Sequence, residues 1–588
     1  MSTPQLPGYA DGAATSETPA EQLQLRREIR AQLAAVTGGI APDDYIAAWW
    51  DWYLNIAQHP QKPSALTAAA LQGALDTWQF ALQASTGTAL APSPEDPRFA
   101  GSPWSQWPFN IYTRAYKNWA SWWQQAVANV PGMADRNAKL LGFASGQLLE
   151  AASPSNYLGT NPELLETTRA ESGQNLVRGF KHWVDDLQRT LNRSTPTGSE
   201  TYKVGEQVAV TPGKVVLRNR LIELIQYAPQ TPSVYAEPIL ITPAWIMKYY
   251  ILDLSPANSL VRYLVAQGHT VFMISWKNPN EADRDLGMDD YLELGLRAAL
   301  AAVSAIVPGR RIHTVGYCIG GTLLSIGAAT LARDNDQRIA TLTTLAAQTD
   351  FSDPGELSLF ISPSQLEMLE AVMHKRGVLA SDQMAGSFMM LRSRDLLWAP
   401  AVNKYLRGKL DTPNDLMSWN SDGTRMPWRM HTEYLYRLYL HNELARGEFP
   451  VAGEPIHLES ITLPLFVVGT ETDHVAPWRS VYKTRALTRS SDYTFLLTSG
   501  GHNAGIVSGP VHPRRRHRLL TWSDPTTVLT PEQWLEAAEM SATSWWPSWQ
   551  HWLRAHSSES QVAPPAMGMA EQGYAVLGDA PGDYVRER

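Results

Sequence analysis

A single cysteine in 588 residues, Cys318, excludes any disulfide within the chain and suits a reducing compartment. No uncharged apolar run is long enough to cross a bilayer; the best candidate, residues 298–307, falls far short. Residues 1–22 are polar and acidic and lack the basic-then-apolar order of a secretory signal. Positive charge is scarce too. Lys and Arg number 49 against 57 Asp and Glu, a net charge of −8 that argues against nucleic acid as a partner. The sequence contains no internal repeat. Tryptophan is what abounds, with 22 residues. Most of these rings are expected in a core, yet so many amphipathic side chains also suit work at an apolar surface or with an oily product.

The length predicts two domains plus extensions. Residues 1–22 read as disordered, being rich in Pro, Gly, Ser and Thr. From 23 to 195 the apolar period is helical. Tyr45, Ile46, Trp49, Trp50, Tyr53, Leu54 and Ala57 share one face, and after Pro60 another helix runs through Leu71, Ala74, Trp78 and Leu82. A break containing Pro92, Pro94, Pro97, Pro103 and Pro108 precedes helices over 112–130 and 132–151. Trp pairs at this spacing predict helix–helix packing rather than ligand boxes. Arg193 to Glu200 reads as a linker.

Beyond the linker, residues 201–556 alternate strand and helix. Strands are expected at 208–210, 215–217, 221–227, 239–241, 270–276, 312–317, 339–345, 465–468 and 493–497. Helices are expected at 260–266 and 291–307, the second ended by Pro308-Gly309. This order predicts an α/β fold with a mostly parallel, doubly wound sheet. A Met-rich helical stretch, about 351–449, interrupts the alternation and reads as a cap that could exclude water. A helix over 530–556 should carry Trp545, Trp546, Trp549 and Trp552 on one face, and 557–588 reads as a flexible tail.

The chemistry centres on Gly316-Tyr317-Cys318-Ile319-Gly320, the spacing of a nucleophile elbow with Cys in place of Ser. A lone cysteine in an apolar setting is usually a small buried hydrophobe. The two glycines argue otherwise, because a sharp strand-to-helix turn leaves no room for side chains beside the nucleophile. A thiol of ordinary acidity is a few per cent thiolate at neutral pH, so a paired base is expected. Strand 465–468 runs into Gly469-Thr470-Glu471-Thr472-Asp473-His474, and strand 493–497 into Ser499-Gly500-Gly501-His502-Asn503. Both loops leave the carboxyl ends of sheet strands, where such a sheet places its site. His502 is expected to take the Cys318 proton, with Asp473 fixing its tautomer. His474 follows Asp473 directly and is poorly placed to donate to it, leaving it a pocket-lining role. Backbone N–H groups of Ile319, Ala244 and Trp245 are the expected oxyanion donors. No metal ligands are expected.

The segment Gly316 to Thr322, with Tyr249-Tyr250-Ile251-Leu252-Asp253-Leu254 and Val271-Phe272-Met273-Ile274-Ser275-Trp276, resembles the polyhydroxyalkanoate synthases. Asp96-Pro97-Arg98-Phe99 through Trp107-Pro108-Phe109 matches the family's Trp- and Pro-rich entry. The resemblance implies an α/β-hydrolase catalytic core, a helical N-terminal domain and class I-like use of short (R)-3-hydroxyacyl-CoA. It implies Cys318 as acyl-bearing nucleophile, His502 as base and Asp473 as its acidic partner. Arg392, in Leu391-Arg392-Ser393-Arg394-Asp395-Leu396, resembles a cap arginine linked with coenzyme A binding. No cofactor is implied, coenzyme A being part of the substrate. The implied partners are the growing polyester chain, a second subunit when active and granule-associated proteins. The implied location is cytoplasmic, at the granule surface. Pro243-Ala244-Trp245-Ile246-Met247-Lys248 departs from the family's Pro-Pro-x-Ile-Asn-Lys.

Two rival readings stand beside this one. Cys-dependent esterases and dienelactone hydrolases share the elbow but are shorter and lack the front domain and long cap. A catalytically idle granule coat protein would use the Trp surface, but would have no need of Asp473 and His502 at strand ends.

Overall fold

The computed structural model describes residues 28–30, 32, 41–86, 96–192, 197–198, 201–524 and 527–588. The expected disordered stretch 1–22, Pro92, Pro94 and all of the expected linker except Thr197 and Gly198 lie outside the described residues.

Long runs of Val, Ile, Leu and Thr demand burial on both faces, and the chain satisfies them in one large sheet. Its strands are β1 (Gly213–Arg218), β2 (Ile222–Tyr227), β3 (Ile239–Thr242), β4 (Val271–Trp276), β5 (Ile312–Tyr317), β6 (Ile339–Leu345), β7 (Leu465–Thr470), β8 (Tyr493–Thr498), β9 (His517–Trp522), β10 (Glu539–Ser541) and β11 (Gly578–Asp579). The spatial order is β10-β9-β8-β7-β6-β5-β3-β4-β2-β1-β11. The central strands from β4 through β8 are parallel. Antiparallel strands extend both edges. Two apolar layers cover the faces, one including Leu292, Leu296 and Leu323, the other Tyr249, Leu264 and Trp549.

Three expectations need correction. Residues 208–210 are not a strand: Ala209 has φ 54°, and its N–H donates to the carbonyl of Asp253. The helix over 530–556 is two, Pro531–Ala537 and Trp546–Ala555, separated by the edge strand β10. The exposed edge of β9 supplies unpaired backbone groups that capture residues 539–541. Residues 557–588 are docked rather than loose. β11 covers the edge of β1, and the buried Glu223 carboxylate accepts the N–H groups of Asp583 (2.9 Å) and Tyr584 (3.0 Å). Lys248 Nζ, also buried, donates to the carbonyls of Tyr584 (3.0 Å) and Glu587 (2.8 Å). A sheet edge, a buried carboxylate and a buried ammonium all require partners, and this segment supplies them.

The helices ahead of the sheet run Pro42–Gln58, Gln61–Ser85, Phe109–Val127, Asp135–Ala151, Pro162–Ala170 and Gln174–Leu191. Some of the Trp side chains pack between them as expected. Trp52 Nε1 donates to Ala126 O and Trp122 Nε1 to Leu66 O, each at 2.9 Å. Others face outward: Trp50, Trp78 and Phe180 are 59%, 62% and 63% exposed. The apolar stripe on Pro42–Gln58 is therefore only partly covered, because that layer has neighbours on one side.

Between β6 and β7 lie the helices Pro363–Arg376, Ser381–Leu391, Asp415–Asn420 and Trp428–Tyr434, where a cap was expected. The front helices rest on this insert. Gly179 lies against the Tyr405 carbonyl, Asn175 Nδ2 donates to Leu406 O (2.8 Å), and Gln147 Nε2 to Met390 O (3.0 Å). Asp96 accepts from Arg98 in the front segment and pairs with Arg394 of the insert at 3.4 Å.

Candidate active site

Strand β5 ends at Tyr317 and the helix Ile319–Arg333 begins one residue beyond Cys318. Cys318 sits at that corner with φ 54° and ψ −130°, a backbone conformation that side-chain-bearing residues avoid. The turn is possible because a Cβ on Gly316 would strike Gly321, and one on Gly320 would strike the Thr242 and Pro243 carbonyls. The Cys318 N–H donates to Leu345 O at 2.9 Å, tying the corner to β6. The thiol is half-buried between the two apolar layers.

Strands β7 and β8 are parallel neighbours, so the loops after them come together. His502 Nδ1 lies 2.8 Å from Asp473 Oδ2. The same carboxylate accepts from Thr470 Oγ1 at 2.7 Å, and its other oxygen accepts the N–H groups of Val475 (2.9 Å) and Ala476 (2.8 Å). Burial alone would raise the pKa of Asp473. The facing His502 and these hydrogen bonds outweigh it and hold the carboxyl below its usual range. Burial opposes a charged His502 in turn, but Asp473 and then Cys318 overcome it, so the imidazole titrates well above its ordinary value. Of the three residues singled out by spacing, Asp473 is thus paired with His502, and Cys318 lies close enough to influence the imidazole.

The expected oxyanion positions meet the elbow from the other side. Close packing of Gly320 on Thr242 and Pro243 sets the loop carrying Ala244 and Trp245 beside the start of the helix Ile319–Arg333. As the first residue of that helix, Ile319 has an N–H with no partner inside it. The Trp245 side chain is buried against Trp276 and Tyr291, while Trp276 Nε1 donates to Pro243 O at 2.8 Å.

Arg392 and His474 are not drawn into this group. Arg392 is exposed after the helix Ser381–Leu391 and pairs with Asp395. His474 is half-buried beside Asp473, with its carbonyl against Gly355 at the start of the insert.

Several supporting residues escaped the sequence reading. Trp545 Nε1 donates to Gly505 O (3.1 Å) and Trp546 Nε1 to Ile506 O (3.0 Å), so two buried indoles hold the loop that follows His502. Tyr434 of the insert is buried and Tyr439 half-buried, their hydroxyls 3.1 Å apart. Burial and then their mutual proximity raise the Tyr434 pKa, and Cys318 lies close enough to add to it. Only Thr470, three positions before Asp473, had a local signal. The indole contacts join residues 40 positions apart in sequence.

Residues 95–264 match the family described as Poly-beta-hydroxybutyrate polymerase (PhaC) N-terminus, and residues 237–508 match the alpha/beta hydrolase fold. The chain is 38% identical to the poly(3-hydroxyalkanoate) polymerase of Methylorubrum extorquens, over 89% of this chain and 84% of that one. It is 36% identical to the corresponding polymerase subunit of Rhizobium meliloti (strain 1021), over 87% of this chain and 84% of the relative. For the subunit of Cupriavidus necator the identity is 35%, over 85% of each chain. A cysteine elbow facing a His–Asp pair, on an α/β-hydrolase sheet preceded by helices, thus coincides with similarity along most of the sequence, and the chain belongs to the poly(3-hydroxyalkanoate) polymerase family.

Proposed function

We infer that this chain is an acyltransferase that joins (R)-3-hydroxyacyl groups from coenzyme A thioesters into a polyester, releasing coenzyme A. The observation that carries this reading is the buried His502–Asp473 pair set against the Cys318 elbow, in a chain of this family. The Cys318 sulfur, its proton taken by His502, attacks the thioester carbonyl. The tetrahedral oxyanion faces the N–H groups of Ile319 and the Ala244–Trp245 loop, then collapses; coenzyme A leaves as the thiol, reclaiming the proton from His502. Thiol and thioester are matched in leaving-group basicity, so this exchange is nearly balanced. The 3-hydroxyl of the next unit then attacks the Cys318 acyl group with His502 as general base, forming an ester and restoring the thiol. Water must be kept out, and Tyr434 and Tyr439, from the insert between β6 and β7, lie close enough to the thiol to feel its charge.

The remaining roles follow from this reading. The Arg392–Asp395 pair is solvent-exposed and worth little, so a coenzyme A phosphate could displace the carboxylate. Arg392→Ala should then raise KM for the thioester more than it lowers kcat. His474 is assigned to the pocket wall. Ile46, Trp50, Tyr53, Leu71 and Trp78, exposed on the front helices, fit an apolar granule surface in the cytoplasm. Activity as a homodimer belongs to the same proposal. Free thiol released from 3-hydroxybutyryl-CoA without free hydroxy acid separates polymerisation from its rivals: a hydrolase liberates both, and an idle coat protein neither.

A further inference from the structure

Asp473 holds His502 at one atom, which fixes the tautomer but leaves the ring free to tilt about that bond. A second restraint comes from the residue before the nucleophile. The fully buried Tyr317 donates its hydroxyl to Asn503 Oδ1 at 2.5 Å, and Asn503 directly follows His502. The Tyr317 ring also lies beside the imidazole, with centroids 5.5 Å apart. One bond thus joins the strand ending in Cys318 to the loop bearing His502, across 186 positions of sequence.

We propose that Tyr317 and Asn503 are positioning residues for His502, their bond aiming the imidazole's outer nitrogen at Cys318. The proposal rests on reading Cys318 and His502 as nucleophile and base. Burial, with Cys318 and Asp473 nearby, keeps the Tyr317 hydroxyl protonated and so a permanent donor. The titratable groups facing the imidazole are Asp473, Cys318 and Tyr317, and Arg515 packs near Gly500 on the same loop. The loop's turn is held without the Asn503 side chain. The Asn503 carbonyl accepts the N–H groups of Ile506 (3.1 Å) and Val507 (2.9 Å), so removing the amide spares the local fold.

The test uses the full chain as Tyr317→Phe, Asn503→Ala and the double variant, with His502→Ala as control. It measures kcat and KM for 3-hydroxybutyryl-CoA, melting temperature, and the rate of Cys318 alkylation by iodoacetamide across pH. A displacement of about 1 Å between reacting groups costs about a hundredfold in rate. Each single variant should therefore lose roughly ten- to a hundredfold in kcat, with KM within about twofold and melting within a few degrees. The acid limb of the alkylation profile should move to higher pH, which a purely structural contact would not cause. The double variant should be no worse than the poorer single one. Wild-type kcat and alkylation in Tyr317→Phe, or losses that multiply in the double variant, would overturn the proposal. If His502→Ala is inactive while Tyr317→Phe is unaffected, only the positioning role fails; if His502→Ala stays active, the choice of base fails with it.

Discussion

His502 donates to an Asp473 carboxylate that already accepts three further hydrogen bonds, from Thr470 and the Val475 and Ala476 N–H groups. An acceptor so fully engaged cannot swing away, so the imidazole keeps its proton on the Asp473 side, and in the proposed mechanism its other nitrogen serves Cys318. Asp473→Asn keeps the shape but presents the wrong polarity to Nδ1. Turnover should fall by about 10³ to 10⁴ with little change in melting temperature. His502→Ala should be at least as damaging and His474→Ala milder. A more severe loss in His474→Ala would move the base to that residue.

The elbow is built on close backbone contact. Gly320→Ala would press a methyl group onto the Thr242 and Pro243 carbonyls, which are backbone and cannot yield cheaply. Overpacking of this kind costs about 1–3 kcal/mol. Thermal unfolding should register that loss, and activity should fall further than stability because the part displaced is the loop carrying Ala244 and Trp245, the proposed oxyanion donors. A stable, active Gly320→Ala would mean that the loop gives way freely.

Gly179→Leu tests the seat of the front helices on the insert. Its side chain would overlap the Tyr405 carbonyl, while Leu favours the helix itself by up to about 1 kcal/mol over Gly. The helix Gln174–Leu191 should persist, yet amide exchange around residues 402–406 should quicken. Unchanged exchange there would show that the two units do not depend on this contact.

Lys248 gives a pH signature. Burial, only partly offset by Asp422 and Glu587, lowers its pKa from 10.5 to about 8. Between pH 8 and 10.5 the unfolded chain binds this proton and the folded chain does not, so stability gains from rising pH across that window. The full increment is about 3 kcal/mol at 1.36 kcal/mol per unit. Lys248→Met should lack this rise in denaturant titrations at pH 8 and 10, and should loosen residues 584–587, whose carbonyls the ammonium holds.

The legible parts of the fold were those where burial dictates composition. The strands β3 to β8 are apolar runs between breakers, and β6 matched residue for residue. The edge strands β9, β10 and β11 were missed because backbone pairing, not side-chain pattern, puts them there. Residues 557–588 were misread for a related reason. Their Pro and Gly content suggests a loose chain, but Glu223 and Lys248, more than 300 positions away, hold them. Trp50 read as a packing side chain because periodicity reports a face without saying what covers it. At the site, glycine spacing and strand ends pointed to Cys318, Asp473 and His502, and the structure sets Asp473 against His502 and Cys318 at the elbow. Tyr317–Asn503 and the indoles of Trp545 and Trp546 left no local trace, since each joins elements distant in sequence.

The central claim is that the growing chain is carried on Cys318. Butyryl-CoA, which lacks the 3-hydroxyl needed for extension, should load the enzyme and stall, releasing one equivalent of coenzyme A. Peptide mass spectrometry should find a butyryl group on the peptide containing Cys318 in the wild-type chain and none in Cys318→Ala. A butyryl group on any other residue, or coenzyme A release undiminished in Cys318→Ala, would contradict the account.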